Sequence, residues 1–202
     1  MDLALAVARC LNQADHRGAA LSVLTSFHCF FRSGEASKLL VADFLGAESI
    51  PGVLTPLGLF AIHGHKTQRR SARVHHVLIE NSVLLEELTL YIKKAMAIPN
   101  RADSPLFPSY AAQQRLVKKV LIFLLGEDQP FTLAGLRGGG ATQHYLVHRN
   151  VPDLLRRGRW ASAKSLEHYL QYSCAFLTGN EWSPLIAAKV RRLAVPWRPL
   201  LV

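Results

Sequence analysis

Two stretches in the last third of the chain decide how the rest is read. Residues 133–142 are LAGLRGGGAT, and residues 158–171 are GRWASAKSLEHYLQ. In the second, Ser162 is a residue type whose side-chain oxygen caps a helix by accepting from a free N–H of the first turn. The helix it opens is predicted to run to about Tyr172, with Leu166, Tyr169 and Leu170 on one face. Trp160 precedes Tyr169 by nine residues, and Arg137 precedes it by thirty-two. Phosphate chemistry without a metal needs cations for the non-bridging oxygens, a nucleophile and a proton donor for the leaving oxygen. An arginine suits the first role, because its planar fork contacts two oxygens at once and stays charged.

The same kinds of residue recur upstream. Arg32-Ser33-Gly34-Glu35 sets a cation and a carboxylate three apart where a helix is predicted to start, with Ser33 as its cap and Ala36, Leu39 and Leu40 on one face. Residues 1 to about 31 carry apolar residues at helical intervals, with a break between Asp15 and Gly18. Between 50 and 80, Pro51, Gly52, Pro56, Gly58 and Gly64 punctuate short apolar pieces. Leu57 to Ile62 and Arg73 to Ile79 are predicted as two strands, with the basic segment His63 to Ser71 as the hairpin tip and Lys66 on it. Further helices are predicted over Leu84 to Met96 and Ala111 to Leu125, the latter closing at Gly126, and from Asn150. Pro99 to Pro108 reads as a loop. Pro184 onward holds one short helix, and Pro196 and Pro199 suggest an extended end. Gly138-Gly139-Gly140 alone carries no argument. The expected architecture is mainly helical with a small antiparallel sheet inserted, one domain over residues 1–202.

Composition bounds the function. The chain has 202 residues, 50% of them hydrophobic, which is enough to bury a core. Lys and Arg number 24 and Asp and Glu 14, so the formal charge is +10, which points to a polyanion and first to nucleic acid. Cys10, Cys29 and Cys174 are too few and too scattered for a disulfide scaffold or a cysteine zinc module. The opening apolar stretch, Leu3 to Val7, is too short for a signal sequence. No uninterrupted apolar run approaches a membrane span. A basic protein of a reducing, intracellular compartment is expected, nuclear if the cell has a nucleus. The sequence lacks GxxxxGK[ST], GxSxG and HExxH, and has no carboxylate cluster for a two-metal nuclease.

Nine histidines raise the question of a metal. His63 and His65 could meet His75 and His76 across the hairpin, and His144 and His148 lie one helical turn apart. With no Asp or Glu near either set, polar histidines beside arginines are the preferred reading. No metal and no cofactor is expected.

The blocks in this order resemble the catalytic domain of the tyrosine recombinases, the phage-integrase family. FRSGEASKLLVADF resembles its first arginine block, LAGLRGGGAT its second, HxLRHTxAT, and GRWASAKSLEHYLQ its terminal tyrosine block. The likeness covers about residues 20–175, with 176–202 as a C-terminal tail. It implies that Arg32 and Arg137 clamp the scissile phosphate, that Lys66 protonates the departing 5′ oxygen, and that Trp160 packs or hydrogen-bonds at the phosphate. Tyr169 would be the nucleophile, forming a 3′-phosphotyrosyl link, with Glu35 in support. Double-stranded DNA is the implied partner, with self-association on it, and Arg69, Arg70, Arg156, Arg157 and Arg159 are candidates for further DNA contacts. A mobile-element origin fits the same resemblance.

The chain also departs from the family. The family's His three before the second arginine is Ala134 here, and the residue after that arginine is Gly138 where His is usual. Arg159 stands where Gly often precedes the His or Trp. With Arg32 so near the start of the sequence, the family's N-terminal DNA-clamping domain is expected to be absent. An intact fold with impaired chemistry is expected. Two other readings stay open: an inactive DNA-binding module of the same fold, and a basic helical protein-interaction domain. In the last case Tyr169 and Trp160 are packing residues, and Arg32 and Glu35 an ordinary helical ion pair worth ~0.3–0.5 kcal/mol.

Overall fold

The computed structural model describes residues 1–46, 57–63, 74–126, 131–170 and 182–195. The amino-terminal apolar pattern forms α1 (Asp2–Gln13) and α2 (Arg17–His28), separated at Asp15, whose φ is +59°. Every residue of α2 from Ala19 to Phe27 is buried. A helix apolar on all sides belongs at the centre of a core, and α2 is packed by α1, by α4 (Ser82–Met96) and by α6 (Leu133–His148). Its polar Ser22 is satisfied inside, donating to Gln113 Oε1 at 2.7 Å.

The predicted strands are β2 (Gly58–Ile62) and β3 (His75–Ile79), paired antiparallel with Phe60 opposite Val77. Gly58, Phe60 and Ile62 face the core, as the period of two requires. A third strand, β1 (Phe44–Leu45), pairs Phe44 with Phe60. It is too short for any alternation to announce it. The predicted helix ends hold where a cap fixes them. Asn81 Oδ1 accepts from Leu84 N at 2.8 Å to open α4, and α5 (Tyr110–Leu125) closes at Gly126 with φ +85°. Ser183 opens α9 (Pro184–Leu193), accepting from Ile186 N at 3.3 Å. Pro196 and Pro199 lie outside the described residues.

Two expectations are corrected. The helix at Ser33 is only one turn, α3 (Ser33–Ala36), and its N-cap is Arg32 rather than Ser33. Leu39 and Leu40 do not continue it, because the Leu39 carbonyl accepts from Leu106 N at 2.8 Å and Leu40 bridges Pro105 in the proline loop. That ladder competes with further helix. At the other end, α8 (Ala163–Glu167) is capped by Ser162 as expected but stops early, and Tyr169 sits in the turn that follows.

The glycine run lies inside a helix, α6, where each glycine costs about 1 kcal/mol relative to alanine. The compensation is proximity. A Cβ at Gly140 would strike the Phe27 carbonyl at the end of α2, so only glycine lets the two helices come this close. Beyond that crossing lies a second, smaller core of Phe30, Ala141, Leu154, Trp160 and Leu166, with Tyr145, Tyr169 and Leu170 packed against it. It joins α6 to α7 (Val151–Gly158) and α8.

Candidate active site

Arg137 projects from the middle of α6 and is 1% exposed, the largest fully buried side chain among the described residues. Its Nη1 donates to the Phe30 carbonyl and its Nη2 to the Gly158 carbonyl at 2.6 Å. Phe30 has φ +53°, a strained value for a bulky residue, at the turn that follows α2. The guanidinium carbon is 4.4 Å from the Trp160 ring centroid and 5.2 Å from that of Tyr169, and the two rings are 5.2 Å apart. Arginine, indole and phenol thus come together from α6 and from the two sides of α8. Thr142, further along α6 than Arg137, donates to the Tyr169 carbonyl at 3.4 Å and ties the tyrosine's backbone to α6.

Arg32 and Glu35 form the second half of the site. The Glu35 carboxylate reaches back to its own helix start, accepting from Arg32 N at 3.0 Å and from Arg32 Nη1 at 2.6 Å. Its other partner is Arg159, whose Nη2 donates to Glu35 Oε2 at 2.8 Å and to the Phe30 carbonyl at 3.4 Å. The Arg32 side chain is 33% exposed and that of Arg159 only 9%.

This crowding shows in the proton affinities. Burial, then the neighbouring charges of Arg32 and Arg159, bring Arg137 down to about 10. Burial lowers Arg159 as well, against the pull of Glu35. For Glu35, burial pushes upward, but Arg159 and the charge and hydrogen bonds of Arg32 outweigh it and hold the carboxyl below its ordinary range.

The remaining site expectations divide. Ala134 is exposed on the first turn of α6, and its methyl offers no hydrogen-bond donor. Arg156 is on the surface, paired with Asp153 at 2.8 Å, and the half-buried Arg157 is tied to the exposed Glu80. Arg159 is turned inward to Glu35, away from the exposed position expected of a surface DNA contact. Lys66, Arg69 and Arg70 lie outside the described residues.

The histidines do have acidic neighbours, contrary to expectation. His144 Nε2 is 3.0 Å from Asp153 Oδ2, and His63 is 3.4 Å from Asp43. Asp153 is brought to His144 by the fold of α7 against α6, which adjacency in sequence does not reveal. Among the described residues no group of three His, Cys, Asp or Glu gathers as metal ligands. No described helix is long and apolar enough to cross a membrane.

Sequence reasoning missed Phe30, whose carbonyl serves two arginines, and Thr142. A backbone acceptor leaves no mark in the residue type, whereas the ALA-THR pair after the glycines was a usable signal for Thr142.

No family model matches the sequence, and no curated protein does. Among solved structures, the XerH site-specific recombinase bound to its difH substrate in a pre-cleavage complex is similar, with a TM-score of 0.61 and 15% identity. The chain has a tyrosine-recombinase catalytic-domain-like fold. The likeness covers 86% of this chain and 49% of that one, so the chain spans about half the length of its neighbour. At this identity the likeness is one of backbone, and the chemistry rests on the side chains described above.

Proposed function

We propose that the chain binds duplex DNA and cleaves and rejoins it through Tyr169. The observation that carries this reading is the meeting of Tyr169 and Trp160 on the Arg137 guanidinium, at 5.2 and 4.4 Å, with Arg32 linked to it through Glu35, Arg159 and the Phe30 carbonyl. In the step envisaged, the Tyr169 phenolate oxygen attacks phosphorus and the bond to the 5′ oxygen breaks. The phenol's proton passes to solvent, and the 5′ oxygen leaves as a hydroxyl with a proton from Lys66. One phosphodiester replaces another, so rejoining by the 5′ hydroxyl needs neither ATP nor metal. The +10 charge supports the DNA partner. Binding should weaken steeply with salt as neutralised phosphates release counterions.

A second reading is favoured by a different observation. Both Nη atoms of Arg137 are engaged by backbone carbonyls, and the side chain is 1% exposed. A guanidinium so employed supports a DNA-binding module that has lost cleavage. A duplex nicked beside the scissile phosphate separates the two, because loss of the short product traps the covalent species. Strand cleavage predicts a detergent-resistant adduct that disappears in Tyr169→Phe. Salt-sensitive binding with no adduct selects the inactive module. An adduct that persists in Tyr169→Phe places the nucleophile elsewhere.

A further inference from the structure

We infer that Arg159 is a third phosphate-gripping guanidinium, using its Nε and Nη1 to contact the phosphate that Arg32 meets from the surface. The inference rests on the reading of this site as a phosphate site, and it adds a residue where the related family often has glycine.

Three observations carry it. The first is orphaned donors. Arg159 Nε and Nη1 are buried and have no hydrogen-bond partner among the described residues, and the same holds for Arg137 Nε and Trp160 Nε1 beside them. A buried donor without a partner costs ~1–3 kcal/mol, and more when charged, so a cluster of four is a place built for an acceptor. The second is charge. The guanidinium groups of Arg32, Arg137 and Arg159 influence one another and share a single carboxylate, Glu35. Glu35 already has Arg32 as its partner through a 2.6 Å bond, so Arg159 is not needed to neutralise it. The positive excess in a poorly hydrated place calls for an anion.

The third is backbone strain. Arg159 is the C-cap of α7 with φ +58°, a left-handed conformation that glycine adopts freely and arginine adopts at a cost. Glycine would relieve that strain but would supply no guanidinium. Strain kept at a position where its relief is a single substitution away marks a side chain with a task. The task fits the chemistry lost elsewhere, since Ala134 and Gly138 offer no side-chain donors. Because the free N–H groups are buried, the phosphate reaches them by displacing part of their cover.

The test is the stabilisation of the full chain by inorganic phosphate, measured as melting temperature against phosphate concentration, with chloride at matched ionic strength as the reference. Arg159→Lys keeps the charge beside Glu35 and so the means to fold, but loses the fork. Phosphate should raise the melting temperature of the parent, and Arg159→Lys should weaken the apparent phosphate affinity about tenfold or more. An equal phosphate response in Arg159→Lys, or no response in the parent beyond that of chloride, overturns the inference. Should Arg159→Lys melt too low for that titration, its affinity for a short duplex in a filter-retention assay, run below its melting temperature, reads the same contact. There, unchanged affinity at fixed salt overturns the inference and a tenfold loss supports it. Loss of the phosphate response in Arg159→Lys, together with a parent that responds to phosphate but forms no adduct on the nicked duplex, leaves Arg159 in place and removes only the cleavage reading. An adduct formed at equal rate by parent and Arg159→Lys does the reverse.

Discussion

Glu35 and Arg159, 124 residues apart in the chain, are joined by a 2.8 Å ion pair in which both side chains are more than nine-tenths buried. The same carboxylate holds Arg32 at 2.6 Å. One acidic side chain therefore ties α3 to the segment between α7 and α8 and fixes two of the arginines of the site.

The first prediction concerns that carboxylate. Glu35→Gln leaves the buried Arg159 guanidinium without its countercharge, and breaking one side of a buried pair costs about 3–5 kcal/mol. The expected result is a large drop in the urea midpoint with an unchanged slope. The carboxyl is more acidic folded than unfolded, so its contribution is complete above the ordinary glutamate value and is lost as pH falls through its lower folded value. The difference between parent and variant should therefore shrink below about pH 4. A difference that is constant from neutral to strongly acidic pH rules out the ion pair as its source.

A second prediction separates the glycines of α6. At Gly135 a Cβ meets nothing within 4 Å, whereas at Gly140 it collides with the Phe27 carbonyl. Gly135→Ala should stabilise by about 0.5–1 kcal/mol through helix propensity alone. Gly140→Ala gains the same propensity, but the forced separation of α2 and α6 costs more, at least ~1–3 kcal/mol. Denaturant midpoints should move in opposite directions, and a shift of the same sign in both would mean that the crossing is looser than described.

His28 supplies a pH-dependent prediction. It lines a cavity of about 50 Å³ with His76, Arg156 and Arg157, and burial, then the charge of Arg157, hold it at about 4. The unfolded chain takes up this proton near 6.5 and the folded one does not until about 4. The unfolded state binds more protons in that window, so stability rises with pH across it, by at most ~3 kcal/mol. In His28→Asn the stability profile between pH 6.5 and 4 should be flatter than in the parent. Superimposable profiles would show that His28 is solvated.

Ala134 gives a prediction about rate. A donor missing from a preorganised site typically costs ~10²–10³ in rate. Ala134 sits one helical turn before Arg137 and is exposed, so a histidine there meets no packing barrier. If the chain cleaves DNA, Ala134→His should speed adduct formation on the nicked duplex by up to about a hundredfold, and adding Tyr169→Phe should abolish the gain. An unchanged rate at unchanged DNA affinity means that the first turn of α6 does not face the phosphate.

The amino-acid sequence determined the parts governed by local physics. Helical periodicity, the helix start at Asn150, the cap at Ser162, the stop at Gly126 and the strand ending at Ile62 are properties of a few adjacent residues. Each was legible without the rest of the molecule. The order of Arg32, Arg137, Trp160 and Tyr169 was legible for the same reason, because residue type and spacing suffice to state it. Tertiary structure decided what depends on partners distant in sequence. Leu39 and Leu40 leave the helix because the loop before Pro108 offers them a ladder, and glycine stands at 140 inside a helix because α2 needs the space. Arg156, Arg157 and Arg159 look alike as neighbours in sequence. One stays at the surface beside Asp153, one is tied to Glu80, and one is drawn inward by Glu35. A guanidinium's environment is set by which carboxylates and carbonyls the fold brings to it, and those arrive from other helices.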